Sequence, residues 1–253
     1  MGPGFYVFRF SRKIRFLTIL SMALMVALLL WFGKSDVLSV FSKQDPSVLA
    51  KGDKKKPNIS LTFNISWGEE KVYDILEQLE KNQVKATFFL SGEWAERHPE
   101  IVEKIIKGKH EIGMLGYRYK SYLEQDIDQV QRDLLRAKEA FEKMGLKDVT
   151  LLRTPNGHFN EDIVKLAQKL GFSVIQWNIN PNDWKNPGSQ EIIDFTMKNT
   201  SNGDILLFHA SDSAKQTAGA LQTILPGLKN KGFQFVHISE LMTQAHAKTK
   251  LVE

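Results

Sequence analysis

From residue 58 onward, short apolar runs alternate with stretches in which apolar residues return every third or fourth position. Residues 59–63 read as a strand. Residues 69–82 read as the helix that follows, with Val72, Ile75, Leu76 and Leu79 on one face. The pattern repeats with strands predicted at 86–90, 111–115, 150–153, 172–177, 204–208 and 233–237. Helices are predicted at 99–107, 127–144, 161–170, 190–198 and 217–231, and a last one runs to Met242. Gly145, Gly171 and Gly232 fall where three of these helices stop. Strict β–α alternation implies a parallel sheet with right-handed crossovers. Seven such units are one short of a complete eight-unit barrel, so the expected fold is an irregular (β/α)7 barrel, with an open doubly wound sheet as the alternative. No Gly-rich phosphate loop follows the first strand, which disfavours a nucleotide fold.

The N-terminal region has a different pattern. Residues 16–32, FLTILSMALMVALLLWF, carry no charge, close to the roughly 17–20 apolar residues that cross a bilayer. Arg9, Arg12, Lys13 and Arg15 precede them. By the positive-inside rule the N-terminus stays cytoplasmic and the rest is exported. No small-x-small cleavage pattern is evident at Gly33-Lys34-Ser35-Asp36, which favours a retained anchor over a cleaved signal peptide. The expected organisation is a cytoplasmic basic segment at 1–15, a transmembrane signal-anchor at 16–33, a solvated linker at 34–57, the α/β domain at 58–242 and a polar tail at 243–253. The expected location is a membrane-anchored protein with its domain outside the cytoplasm.

Composition narrows the function classes. The chain has 253 residues, a net charge of +5 and no cysteine. Disulfides and thiolate metal sites are excluded. No basic stripe with interleaved aromatics runs through the body of the chain, so nucleic acid is not an expected partner.

Candidate chemistry collects where the predicted strands end, the usual place for catalytic groups in β/α folds. Asn64 follows the first strand and Arg153 the fourth. Asp183 and Trp184 follow the fifth, and His209 the sixth. An Arg, an Asp and a His gathered on one rim are more than chance clustering usually gives.

These stretches resemble the NodB-homology polysaccharide deacetylases, carbohydrate esterase family 4. The resemblance is carried in order by Leu61-Thr62-Phe63-Asn64, His110-Glu111-Ile112-Gly113, Arg153-Thr154-Pro155-Asn156-Gly157, Asn180-Pro181-Asn182-Asp183-Trp184 and Leu206-Leu207-Phe208-His209. The Ile65-Ser66-Trp67-Gly68 turn and the stretches Asn182–Gly188 and His209–Ser213 look like the PdaB-type sporulation branch. The resemblance implies a barrel of the NodB type and a peptidoglycan or spore-cortex substrate. It implies hydrolysis of the amide of an N-acetylated sugar, a carbon–nitrogen bond outside any peptide. It assigns candidate catalytic positions to Asn64, Arg153, Asp183 and His209, and candidate substrate contacts to Trp67, Pro155, Gly157 and Trp184.

The chain departs from the family pattern where the chemistry is hardest. Family members hold a divalent metal such as zinc, which lowers the pKa of a bound water and polarises the carbonyl. The ligand positions carry Ile65, Leu115 and Tyr119 here, so no metal or other cofactor is expected. Asn64 stands at the catalytic-base position, and an amide takes no proton in this pH range. His209 matches the family's general acid, Asp183 the carboxylate that orients it, and Arg153 the residue that pairs with the base. With that anionic partner gone, Arg153 and His209 are expected to leave the cleft electropositive. Three functions follow: a divergent deacetylase of wall polysaccharide, a catalytically impaired pseudoenzyme that binds wall glycan or a spore-envelope partner, or a purely structural exported domain in spore-envelope assembly.

Overall fold

The computed structural model describes residues 12–14, 16–18, 20–22, 24–25 and 47–249. The chain divides into two compact units, 1–45 and 46–253. In the first unit the described residues are helical. Among the described residues no helix is long and apolar enough to cross a membrane. The transmembrane signal-anchor expected at 16–33 is therefore unsupported, and so is the membrane as a partner. Hydropathy reports how side chains partition, whereas spanning a bilayer also needs about 20 residues in one unbroken helix. Residues 26–33 of the expected anchor, 1–11 of the basic segment, 34–46 of the linker and 250–253 of the tail lie outside the described residues.

The second unit is a parallel sheet wrapped by helices. Its strands are β1 (Val48–Leu49), β2 (Asn58–Ile65), β3 (Thr87–Leu90), β4 (Glu111–Met114), β5 (Leu151–Leu152), β6 (Ser173–Ile175), β7 (Ile205–His209) and β8 (Gln234–Phe235). Their order is β1-β6-β5-β4-β3-β2-β7, with β8 also on β2. The helices are α1 (Lys71–Lys81), α2 (Gly92–Arg97), α3 (Pro99–Lys107), α4 (Ile127–Lys143), α5 (Glu161–Lys169), α6 (Ser189–Asn199), α7 (Thr217–Asn230) and α8 (Ile238–Thr249).

The expected seven-stranded barrel is replaced by an eight-stranded sheet that curls without closing. Past β6 the chain reaches β7 through one isolated parallel bridge, Ile179 to Leu206. The other edge of β6 is taken by β1, which comes from the predicted linker. That linker is folded at its end: Val48 and Leu49 pair with Val174 and Ile175, Lys51 forms an ion pair with Asp204, and the Gly52 N–H donates to the Gly203 carbonyl at 2.7 Å. A Cβ on Gly52 would lie 2.5 Å from Leu241 Cγ, so only glycine lets this segment pack so closely. The expected polar tail is also helical as far as Thr249.

Strand β2 shows how the sheet sorts its side chains. All eight residues are buried. Ile59, Leu61, Phe63 and Ile65 join the core shared with the helices, while the alternating Asn58, Ser60, Thr62 and Asn64 belong to the other face. Below the site that inner face also carries an apolar cluster, in which Phe89, Leu115, Leu151, Ile175 and Ile205 meet Ile238 and Leu241 of α8. Glu111 fixes α8 beneath the sheet by accepting from the backbone N–H of Ile238 at 2.9 Å and of Ser239 at 3.3 Å.

His110 lies at this lower end, where its Nδ1 accepts from the Ala86 N–H at 3.2 Å. Burial, aided by the charges of Lys85 and His237, lowers its imidazole to about 4. The native state stays neutral there while the unfolded chain takes up a proton below about 6.5. This contribution is therefore complete above that pH and is lost as the pH falls toward 4. His110→Gln is expected to narrow the gap in melting temperature between pH 7 and pH 4.5. An unchanged gap would rule the assignment out.

Candidate functional site

The inward residues at the upper strand ends meet in one place. Parallel pairing sets Asn64 opposite His209 across β2 and β7, which points both side chains to the same face. Arg153 follows β5 and is wholly buried. Its Nη1 donates to Asn64 Oδ1 at 2.9 Å and to Thr62 Oγ1 at 3.0 Å. Its Nε and Nη2 donate to the carbonyls of Ile175 and Gln176 at 3.3 and 3.2 Å. The guanidinium also lies 4.1 Å from the Phe89 ring centroid and 5.2 Å from that of Trp177. Burial lowers the guanidinium to about 9. Arg153 therefore offers no surface for direct contact with an anion in the cleft, because neutral acceptors and aromatic faces close around it, although its charge still acts on Tyr119 at the cleft wall.

Asp183 is also wholly buried. Its Oδ1 accepts from His209 Nδ1 at 2.8 Å, and its Oδ2 accepts from the His209 backbone N–H at 2.8 Å and the Thr217 hydroxyl at 2.6 Å. Acting only as acceptor, the carboxylate places the imidazole proton on Nδ1, which leaves Nε2 for the cleft. Asp183 opens a 3₁₀ turn held between Asn182 (φ 53°) and Asn186 (φ 53°), both left-handed, a conformation asparagine tolerates. Asn186 ties the turn to the loop beyond His209 through the Ser213 carbonyl at 2.8 Å and the Lys215 N–H at 2.9 Å.

The cleft above these groups encloses about 490 Å³. Asn64 and His209 form part of its floor, and Trp67 (55% exposed) and Trp184 (47% exposed) line it. Asp212 sets the turn that carries Trp67, accepting from the backbone N–H of Glu69, Glu70 and Lys71 at 2.9–3.0 Å. Burial opposes ionisation of that carboxyl, but these three N–H groups and Lys71 outweigh it and hold it below the ordinary carboxylate range. Trp94 Nε1 pins the same turn by donating to the Gly68 carbonyl at 2.7 Å.

Two expected substrate contacts, Pro155 and Gly157, are not among the residues that line the cleft. Pro155 is buried. Gly157 (φ +72°) packs so tightly that a Cβ would lie 2.5 Å from Trp177 Cη2. Between them Asn156, at φ 58°, reaches the cleft with Trp177 and Tyr119. Asn156 and Trp177 had no charge or metal-ligand spacing to mark them. Tyr119 had only its alignment with a family ligand position.

The three family ligand positions do not fit a metal. Ile65 is buried in the core facing the helices, and Leu115 is buried in the apolar inner cluster. Neither offers a lone pair. Burial raises the Tyr119 phenol above its ordinary value, against the backbone hydrogen bond of Asn156 and the charge of Arg153, so it is held protonated and is a poor ligand. Among the described residues no group of three His, Cys, Asp or Glu side chains could hold a metal ion.

The comparisons with known proteins agree with this architecture. The family model for polysaccharide deacetylase matches residues 51–175. A peptidoglycan-N-acetylglucosamine deacetylase of Bacillus cereus is 34% identical over 191 residues, covering 74% of this chain and 89% of that protein. A solved pseudoenzyme of carbohydrate esterase family 4 from Bacillus anthracis superposes with a TM-score of 0.74 at 30% identity, over 79% of this chain and 70% of that one. A mutant of that pseudoenzyme, described as having restored enzymatic activity, superposes with the same TM-score at 30% identity, over 79% of this chain and 72% of that one.

Proposed function

Since the chain belongs to the polysaccharide deacetylase family, we infer that it engages the N-acetylated glycan of peptidoglycan or spore cortex in the cleft above its sheet, without the family's metal-dependent hydrolysis. The observation that carries this reading is the floor of the cleft. There an amide, Asn64, accepts from Arg153 where hydrolysis needs a proton acceptor. Loss of a general base alone costs about 10²–10⁴ in rate. The metal that would activate water has no ligands at Ile65 and Leu115. What persists is a shaped groove with two exposed indoles suited to sugar faces and an intact Asp183–His209 pair. The PdaB-like turns of the sequence support a place in the sporulation wall.

The test is equilibrium binding of N-acetylglucosamine oligomers and cortex peptidoglycan, together with acetate release measured with and without chelator. Saturable binding without acetate release is expected. Trp67→Ala combined with Trp184→Ala should weaken binding about tenfold, from roughly 0.5–1.5 kcal/mol per lost aromatic contact. Asn64→Asp alone should release no acetate, because a base without a metal leaves the water unactivated. Chelator-resistant acetate release by the wild type would instead establish a deacetylase working through Asp183 and His209. Absence of any glycan binding would overturn the cleft reading.

A further inference from the structure

A second hollow, of about 480 Å³, opens beside the cleft between the loop after β4 and one face of α4. Gln129, Arg132, Asp133 and Arg136 line it at helical spacing, and Arg118 and Lys120 line it from the loop. Its charged lining is four cations and one carboxylate, and that carboxylate is already committed. Asp133 Oδ2 accepts from the Tyr117 N–H and the Tyr122 hydroxyl, each at 2.8 Å, and Oδ1 accepts from the Arg118 N–H at 3.0 Å. Gly116 (φ +78°) admits this closure, since a Cβ there would lie 2.1 Å from the Tyr122 hydroxyl oxygen. The loop is thereby fixed. Arg136 is fixed as well, stacked 3.8 Å over the Tyr117 ring and donating to its hydroxyl at 2.9 Å, a hydroxyl that itself donates to Glu96.

Elsewhere the helices pair their lysines one turn apart, as in Lys107–Glu103, Lys143–Glu139 and Lys165–Glu161. Arg118, Lys120 and Arg132 are exposed and form no ion pair among the described residues. The hollow is also coupled to the cleft by the chain itself: Tyr119 lines the cleft, while its neighbours Arg118 and Lys120 line the hollow. One loop, residues 117–120, thus serves both the cleft and this cationic surface. A neutral sugar strand has no use for it.

We propose that the hollow receives carboxylates carried by the glycan strand that occupies the cleft, on its lactyl or peptide substituents. The proposal rests on the glycan-binding reading above, and it moves anion recognition from the buried Arg153 to Arg118, Lys120 and Arg132. Arg136 serves as a fixed wall. Exposed pairs of this kind are individually weak and salt-sensitive, so the effect comes from three acting on one ligand.

The experiment compares the wild type with the triple variant Arg118→Gln, Lys120→Gln, Arg132→Gln. Three ligands are used: a neutral N-acetylglucosamine oligomer, an alternating strand bearing only lactyl carboxylates, and the same strand with its peptides. The wild type should bind at least one carboxylate strand roughly tenfold more tightly than the neutral oligomer at low salt. That advantage should disappear in the triple variant and at high ionic strength, with neutral binding unchanged. The peptide-free strand identifies which carboxylates are read. If the wild type binds the neutral oligomer and the carboxylates add nothing, this proposal falls and the cleft reading stands. The same holds if the advantage survives high salt or the three substitutions. If no strand binds, both fall. The salt dependence of the wild type decides the matter even if the variant does not fold.

Discussion

Arg153→Met is expected to lower the unfolding free energy by about 3–5 kcal/mol, a drop in melting temperature of roughly 6–20 °C for a domain of this size. Two effects compete. Removing a buried cation with no carboxylate partner relieves a desolvation penalty of several kcal/mol. Against this, the substitution strands acceptors on Asn64, Thr62, Ile175 and Gln176 that now receive a charged donor, at about 1–3 kcal/mol for each one left buried and unpaired. Asn64 can turn toward the cleft, where it is 5% exposed, and Thr62 keeps its own bond to the Leu206 carbonyl at 2.7 Å. The Ile175 and Gln176 carbonyls lose their guanidinium donors, and the stack between Phe89 and Trp177 is lost as well. The destabilising side therefore wins. Arg153→Lys should recover only part of the loss, because an ammonium cannot reach four acceptors spread around a planar fork. Chemical denaturation of the three proteins decides this; a methionine variant within 1 kcal/mol of the wild type would show that the charge penalty dominates.

The second large effect concerns Asp183. Asp183→Ala orphans His209 Nδ1, the His209 N–H and the Thr217 hydroxyl together, for an expected loss of about 3–5 kcal/mol. Asp183→Asn is the more discriminating change. Its single carbonyl oxygen should stay with the two donors now on Oδ2, the backbone N–H and the threonine hydroxyl. Its NH₂ then faces His209 Nδ1 and turns that nitrogen into an acceptor. The imidazole proton should move to Nε2, at a much smaller cost in stability than the alanine variant. Nitrogen chemical shifts of the His209 ring read this directly: an Nδ1–H tautomer in the wild type, an Nε2–H tautomer in the variant. An unchanged tautomer would mean that Asp183 does not set the protonated edge of the ring.

Within the α/β domain the corrections share one cause, which is that partners distant in sequence override local pattern. Val48 and Leu49 read as linker because two apolar residues among charges make no strand by themselves; β6 supplies the edge they pair with. Pro155 and Gly157 read as substrate contacts through the family resemblance, yet Pro155 is buried and Trp177, some twenty residues on, occupies the space beside Gly157. Ile65 holds a family ligand position, and the two-residue alternation of β2 places it in the helix-facing core. The membrane anchor was argued from hydropathy, and the described residues there do not make a helix of spanning length.

By itself the sequence determined the β–α alternation, the family, and the set of groups brought to the upper rim. Apolar periodicity and turn residues are local properties of the chain, and the ordered motifs are local strings. It also determined that Asn64, Ile65 and Leu115 cannot perform base or metal chemistry, because that is a matter of which atoms carry lone pairs and protons. Only the tertiary structure decided that Arg153 is closed off from the cleft, that Asp183 serves two His209 donors and Thr217 at once, and that three cations with no ion pair among the described residues gather beside the groove. Burial, hydrogen-bond geometry and summed charge depend on which distant segments meet, and they exist only once the sheet has curled.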